Sequence, residues 1–369
     1  MNGHDFQLTK DGNGLMFTYD VHILKVDDFH LGVKGEKGVI GTAVQEITPT
    51  GEVVFEWRSW DHLPLSLWES EGRHPEIWDL LHSNAIVEAH NGHILLSMRK
   101  MSQIAKIDRD SGEVLWRLGG KGGNFRILND TRGYFIGQHD VRDLGKPEGK
   151  QQISIFDNGV IAADGKARRG SRGAEYDLHF DSHGRPLNAR LVNSYDTGIL
   201  AYAKGSYRRM PNGNGVYCLG VGVKQPRVWT ANPFYIEKDS SGRELVRMEW
   251  DLHVYRHFLE IYRAIKAPWI GTPAWPPTAL LDDNNKAKTL RLHFSWNGAT
   301  RLQRWRIVTG DSAKEPLTFV YAEVEKRQFK HWVNIQEGME KCRYFQAIAL
   351  DDEGEELSRS PVVKTTPCM

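Results

Sequence analysis

A histidine recurs at one place in a repeated unit of this chain: His4-Asp5-Phe6, His82-Ser83-Asn84 and Gln138-His139-Asp140. Each opens a segment that runs into a short apolar stretch. Two segments then pass a Gly-Glu-Val hairpin and end on tryptophan, Gly51-Glu52-Val53 to Trp57 and Gly112-Glu113-Val114 to Trp116. A unit that begins with histidine puts several histidines in equivalent positions. If such units close into a ring, those histidines meet on its axis.

Strand patterns dominate. Residues 15–19, 38–40, 53–57, 94–98 and 153–156 are short apolar runs bounded by turn residues. The 36 glycines, many in Asn-Gly, Asp-Gly and Ser-Gly steps, predict tight turns between them. Helical periodicity is scarce: one turn at 78–81, and a longer helix over 252–265 that would equally suit a strand. Four units can be read, at 4–57, 82–116, 139–195 and 205–250. Repeats of this size read as four-stranded blades of a β-propeller, against the alternative of a large non-repeating sandwich.

The proline-rich stretch through Pro268, Pro273, Pro276 and Pro277 breaks the pattern. Beyond it, residues 290–294, 305–308, 318–321 and 344–349 are spaced like the strands of a small sandwich. The expected organisation is all-β: a propeller over 1–266, a linker over 267–281 and a β-sandwich-like domain over 282–369. The second domain carries no cluster of catalytic groups, so a structural or covering role is expected of it.

Composition removes several function classes. Basic and acidic residues balance at 48 and 47, which gives no electrostatic footprint for nucleic acid or a membrane surface. No apolar run approaches the roughly 20 residues of a spanning helix, and the opening residues have no signal-peptide pattern. Three cysteines allow one disulfide and no cysteine-based metal cluster. His179 with His183 and His253 with His257 have a three-residue gap but lack the glutamate of the helical zinc motif. Neither a nucleotide phosphate loop nor a Gly-x-Ser-x-Gly elbow is present. No cofactor and no metal is expected; the expected partners are small molecules.

Chemistry is expected of residues near the unit starts. His82 and Asn84 sit two apart and would share a strand face. Arg99 follows the next strand, with Lys100 beside it. His139 opens the third unit, Asn158 ends its next strand, and Arg168, Arg169 and Arg172 follow. Imidazole, amide and guanidinium groups facing one channel make an anion site, because arginine offers a rigid fork to an oxyanion. Histidine serves as nucleophile or proton carrier near neutral pH. A lone histidine at a strand start is usually a structural donor; three in register favour His82 and His139 as functional. His4, at the terminus, carries less weight.

At these residues the sequence resembles the arylsulfotransferase family, in the branch common in fungi and actinobacteria. The matching stretches include His4-Asp5-Phe6-Gln7-Leu8-Thr9, Asp61-His62, His82-Ser83-Asn84, Ser97-Met98-Arg99 and Trp116-Arg117-Leu118-Gly119-Gly120. They continue with Gln138-His139-Asp140, Phe156-Asp157-Asn158-Gly159, Pro211-Asn212-Gly213-Asn214, Tyr262-Arg263 and Phe294-Ser295-Trp296-Asn297-Gly298-Ala299-Thr300. The resemblance implies a six-bladed propeller, of which about four blades are readable here; the expectation is an N-terminally incomplete ring or one closed by other means. It further implies sulfuryl transfer from a phenolic sulfate ester to a phenol through a sulfohistidine, without a nucleotide sulfate donor, in proteins that are often exported. His82 and His139 then match the channel histidines as catalytic groups. Asn84, Arg99, Asn158 and, more loosely, Arg172 match substrate-binding positions around them. The alternative is an inactive or repurposed propeller that binds a small aromatic or anionic ligand, or a partner protein, in the same channel.

Overall fold

The computed structural model describes residues 3–25, 35–68, 77–145, 151–160, 169–222, 224–225, 228–229, 233–251, 259–284, 289–313, 317–336, 338 and 342–366. The chain divides into two compact units, Met1–Lys266 and Ala267–Met369. Among the described residues it is all-β, with helix only at Ser59–His62 and one 3₁₀ turn at Leu65–Leu67.

Four antiparallel sheets follow one another along the first unit. The first orders its strands Phe6–Leu8, Gly14–Lys25, Glu36–Ile47 and Val53–Arg58 as they occur in the chain. The second does the same with Ser83–Glu88, Ile94–Met98, Gln103–Ile107 and Val114–Gly119. The third runs His139–Asp143, Gln151–Asp157, Arg172–Phe180 and Pro186–Asp196, with Arg126–Leu128 parallel to its last strand. The fourth is Ser206–Arg209, Gly215–Cys218, Tyr235–Lys238 and Glu244–Met248. Apart from Arg126–Leu128 and the short strand Ile77–Asp79 beside the first sheet, the strands of each sheet lie on or within a few residues of one of the four segments 4–57, 82–116, 139–195 and 205–250.

Local chemistry sets the hairpins. The Gly12 amide donates to the Thr9 carbonyl at 3.0 Å and the Gly213 amide to the Met210 carbonyl at 2.9 Å. Both glycines have φ above +80° or at it (+80° and +85°), a region that side chains with a Cβ rarely enter. The same short turn closes at Gly92, Gly184 and Gly242. Strand length then sets how many alternating side chains each face presents.

The cores lie between consecutive sheets. Phe17, Val44 and Trp57 of the first sheet pack with Ile86, Leu96, Met98 and Ile107 of the second. Val87, Leu95, Ile104 and Trp116 on the second sheet's other face pack with Val141, Ile155, Ala174 and Tyr176 of the third. Phe156 of the third joins Tyr207, Tyr217 and Ile236 of the fourth. The second sheet is thus buried on both faces, and its two middle strands are buried at every residue. Each large aliphatic side chain so buried contributes about 1.5–3 kcal/mol. The unit-closing tryptophans link neighbours: the Trp57 indole donates to the Gly112 carbonyl, in the hairpin of the second sheet, at 3.0 Å.

Two helical expectations are corrected. Residues 77–79 form a short strand, Ile77–Asp79, parallel to Glu36–Ile47, so 78–81 is not a helical turn. Apolar Trp78 is buried against the first core, which a strand achieves with alternate residues. Of the longer helix, 252–258 lies outside the described residues, and 259–265 is neither helix nor strand. Its carbonyl and amide groups bond the fourth sheet instead: Gly205 donates to the Tyr262 carbonyl at 3.0 Å, and Ala264 donates to Ser206 Oγ at 3.2 Å.

The second unit holds two antiparallel sheets over one core. Thr278–Asn284, Thr289–Ser295 and His331–Asn334 form the first. Phe319–Glu325, Arg304–Gly310, Tyr344–Leu350 and Glu356–Arg359 form the second, with Val363–Lys364 beside Tyr344–Leu350. Leu292, Phe294, Trp305, Ile307, Phe345 and Ala347 fill the space between. Cys342 is disulfide-bonded and Cys218, in the first unit, is free and buried.

Candidate functional site

The first strands of the four sheets lie side by side, and the residues that lead into them converge. His4 precedes Phe6–Leu8, His82 precedes Ser83–Glu88, His139 opens His139–Asp143, and Lys204 precedes Ser206–Arg209. The His4 and His82 rings meet edge to face at 5.0 Å between centroids. Tyr262 completes the cluster, 5.9 Å from His4 and 6.4 Å from His139, with the Lys204 ammonium 5.9 Å over its ring. Its hydroxyl donates to the Asn84 carbonyl at 3.2 Å, across 178 residues of chain.

His82 is held by Asp79. The imidazole Nδ1 lies 2.5 Å from the Asp79 carboxylate, which also accepts the His82 amide at 2.9 Å. A carboxylate accepts only, so Nδ1 is the donor in this bond, and in the neutral ring Nε2 is the nitrogen that keeps a lone pair. Among the described residues no hydrogen bond engages Nε2, and the side chain is 27 % exposed. His82 has φ of +50°, a conformation uncommon for a residue with a side chain and found where geometry serves function. Burial opposes the charge on Asp79, but the His82 hydrogen bond and the charges of His82 and Lys100 hold its carboxyl below the ordinary range. Lys100 Nζ donates to the Asp79 carbonyl at 2.6 Å.

His139 differs. Its Nε2 accepts the Lys204 amide at 3.1 Å, which makes Nδ1 the donor to Asn158 Oδ1 at 2.7 Å. Both nitrogens are thus engaged in a fully buried ring. Burial, then the charge of Arg99, holds this imidazole well below its usual pKa. His4 is pushed down to about 4, first by burial and then by the charge of His82, against the pull of Asp79. Both are neutral at pH 7.

The other expected groups divide. Arg99 stands at the cluster: its charge lowers the pKa of both His4 and His139, and its guanidinium donates to the Tyr202 carbonyl at 3.3 Å. Asn84 is there too. Its amide Nδ2 donates to the Gln138 carbonyl at 2.8 Å, leaving a buried Oδ1 without a hydrogen bond. That oxygen accepts and cannot bind a sulfuryl oxygen; a phenol hydroxyl would suit it. Asn158 is committed: Oδ1 serves His139, and Nδ2 donates to the Ala201 and Lys204 carbonyls at 2.9 Å each. Arg172 is not at the cluster's service. It is 2 % exposed and tied to Asp157 at 3.0 Å and Asp130 at 2.7 Å, with Tyr176 on the same carboxylate. A guanidinium so buried needs its carboxylates and has no donors left for substrate. Arg169 donates to the Arg132 carbonyl, while Arg168, His253 and His257 lie outside the described residues.

A second tier sits one residue along. Asp5, Asp140 and Arg263 follow His4, His139 and Tyr262 in the chain. Arg263 donates to Asp5 at 2.6 Å and lies 3.1 Å from Asp140. Asp140 also receives two bonds from Arg208, at 2.7 and 2.8 Å, and one from Arg142 at 2.8 Å. Asp5 accepts the Ile86 amide at 3.0 Å. This network fastens the first, second, third and fourth sheets to the segment carrying Tyr262.

Sequence reasoning gave His4 little weight and did not consider Asp79, Lys204 or Tyr262 as site groups. For Asp79 the available pointer was its three-residue spacing from His82. Lys204 occupies the fourth unit's counterpart of the histidine position.

The cluster combines an oriented imidazole, two neutral imidazoles, the cation Arg99 and Lys204, whose ammonium is ion-paired with Glu260, an arrangement suited to binding an anionic group. Among the described residues no helix is long and apolar enough to cross a membrane. A Bacteroides caccae protein of unknown function is similar in structure at 13 % identity, with TM-score 0.36, over 68 % of this chain and 69 % of its own. The PQQ-bound aldose sugar dehydrogenase from Streptomyces coelicolor is similar at 13 % identity, with TM-score 0.28, over 47 % of this chain and 48 % of its own. Both likenesses are remote. No curated protein matches the chain. The family model described as arylsulfotransferase (ASST) matches residues 1–230, the span that contributes His4, Asp79, His82, Arg99, His139 and Lys204, and the chain belongs to that family.

Proposed function

We propose that this protein transfers a sulfuryl group from a phenolic sulfate ester to a phenolic acceptor, with His82 as the group that carries it. What supports the reading is the Asp79–His82 pair, in which Nδ1 is held and Nε2 is left to react. The Nε2 lone pair attacks sulfur; the N–S bond forms, the S–O bond to the donor breaks, and the phenolate leaves with the electron pair and takes a proton from solvent. The ring gains positive charge in that step, and the Asp79 carboxylate offsets it. Arg99 balances the sulfuryl charge, while the Lys204 ammonium is paired with the Glu260 carboxylate. In the second half the acceptor oxygen attacks sulfur, its proton passes to neutral His4 and on to solvent, and the N–S pair returns to His82. His139 and Asn158 position the cluster through Lys204 and are not the reacting pair in this assignment.

The fold reading that accompanies it takes the four sheets as blades around the axis where the histidines meet. The second unit's paired sheets are taken as a sandwich, and the family branch as the one common in fungi and actinobacteria. The commitment of His139 and Asn158 to internal bonds favours one second reading, a channel that binds aromatic anions without turning them over.

Incubation with p-nitrophenyl sulfate and phenol separates the two. The expected result is nitrophenol release that depends on acceptor, is lost in His82→Ala, and leaves one SO₃ on a His82 peptide when acceptor is omitted. Folded protein that binds the ester but releases no nitrophenol with any phenol overturns the transferase.

A further inference from the structure

Lys204 is fixed in the cluster by its main chain. Its amide donates to His139 Nε2 at 3.1 Å, and its carbonyl accepts Asn158 Nδ2 at 2.9 Å. Its φ of +59° is a left-handed conformation that few residues with a side chain adopt. The side chain then runs over the Tyr262 ring, and the charge of the ammonium reaches His4, whose pKa it lowers. A cation so placed would serve an anion bound beside the histidines. It is paired instead with the Glu260 carboxylate.

Glu260 is held beside the cluster by the residues that follow it. Two residues on, the Tyr262 carbonyl accepts the Gly205 amide at 3.0 Å, and Arg263 donates to Asp5 at 2.6 Å. Among the described residues Glu260 has no second hydrogen-bond partner. The Lys204 and Glu260 side chains are 29 % and 37 % exposed, so solvent and ligand can reach both. An exposed pair of this kind adds little to stability. Its effect on a bound ligand is larger in kind: the carboxylate offsets the lysine's charge. The energy between a fixed charge and a ligand scales with the ligand's charge, so Glu260 opposes a dianion twice as strongly as a monoanion.

We propose that Glu260 is a specificity-determining residue: by offsetting Lys204 it suits the cluster to singly charged aryl esters, as sulfates are, over doubly charged phosphate monoesters. The proposal rests on the transferase reading for the group transferred, whereas the charge preference is read from binding alone. The test is calorimetric binding of benzenesulfonate and phenylphosphonate to the full chain. Their C–S and C–P bonds give up no group, and at about pH 8.5 the first is a monoanion and the second a dianion. The expected result is that Glu260→Gln tightens the sulfonate about threefold and the phosphonate about ninefold. Lys204→Gln should weaken both, again with the larger change for the phosphonate. A folded Glu260→Gln protein that changes both affinities by one factor, or neither, overturns the role of Glu260. Nitrophenol release from p-nitrophenyl sulfate with phenol is followed in the unaltered chain. Release together with an indifferent ratio leaves the transferase standing without this selectivity. A shifted ratio without release overturns the transferase and leaves a charge-selective binding site.

Discussion

Asp79 and His82 meet through a hydrogen bond of 2.5 Å that leaves one imidazole nitrogen to solvent and substrate. The bond orients the ring and, in the proposed mechanism, would counter the charge that a sulfated imidazole acquires. Asp79→Asn keeps the shape and loses both effects. The expected outcome is a fall in kcat on the order of a hundredfold or more, with KM for the donor nearly unchanged. A burst assay measures it. A fall confined to KM would place Asp79 in binding instead.

Acid sensitivity should have two windows. His4 titrates near 4 in the fold against 6.5 as the ordinary value, and His139 moves in the same direction. Below 6.5 the unfolded chain takes up protons that the folded chain refuses. Stability is therefore full above about pH 6.5 and declines as pH falls toward 4. Asp5 and Asp79 have lowered values, so their contribution is present above 3.8 and is lost below it. Thermal melts across this range should show a drop in Tm beginning well above the carboxylate window. His4→Asn should flatten that upper part, and an unchanged profile would show that His4 is not buried as described.

Asp5 is the buried counter-ion of Arg263, 258 residues away, and shares Arg142 with Asp140. Asp5→Asn leaves three guanidiniums with one carboxylate. Breaking such a buried pair costs about 3–5 kcal/mol. Urea unfolding should report the loss, and limited proteolysis should show earlier cleavage near residues 259–266. A change under about 0.5 kcal/mol would mark the pair as a surface contact.

Gly120 and Gly92 share a positive φ, at +57° and +84°, but not their surroundings. A Cβ at Gly92 meets nothing within 4 Å, whereas at Gly120 it collides with the Met101 carbonyl. Gly92→Ala should cost only the backbone term of about 1–2 kcal/mol. Gly120→Ala must move the turn that carries Arg99 and Lys100. It should lose activity well beyond its loss of stability, as kcat measured at a temperature where both variants are folded would show.

Local rules made much of the fold legible. Hairpins at Gly12, Gly92 and Gly213 follow from residues adjacent in the chain, and the short apolar run Ile94–Met98 between turn residues already says strand. The short strand Ile77–Asp79 was misread as a turn of helix because three residues carry no reliable period. The extended run through Tyr262 was misread because its partners, Gly205 and Ser206, lie far back in the sequence.

Of the site, the sequence by itself determined the residue types and their recurrence: histidine at the start of three units, followed by an acid in His4-Asp5 and His139-Asp140 and by Ser83 after His82. It could not say which imidazole keeps an open nitrogen. That depends on the Lys204 amide reaching His139 across 65 residues and on Asp79 curling back to His82 through a left-handed residue. It ranked Arg172 below Arg99 only as a looser match to the family and had no physical ground for separating them, since both are arginines near polar neighbours. Tertiary structure decided that by burial, because a guanidinium enclosed with Asp130 and Asp157 is held by them, while one beside two neutral imidazoles lends its charge to whatever binds there.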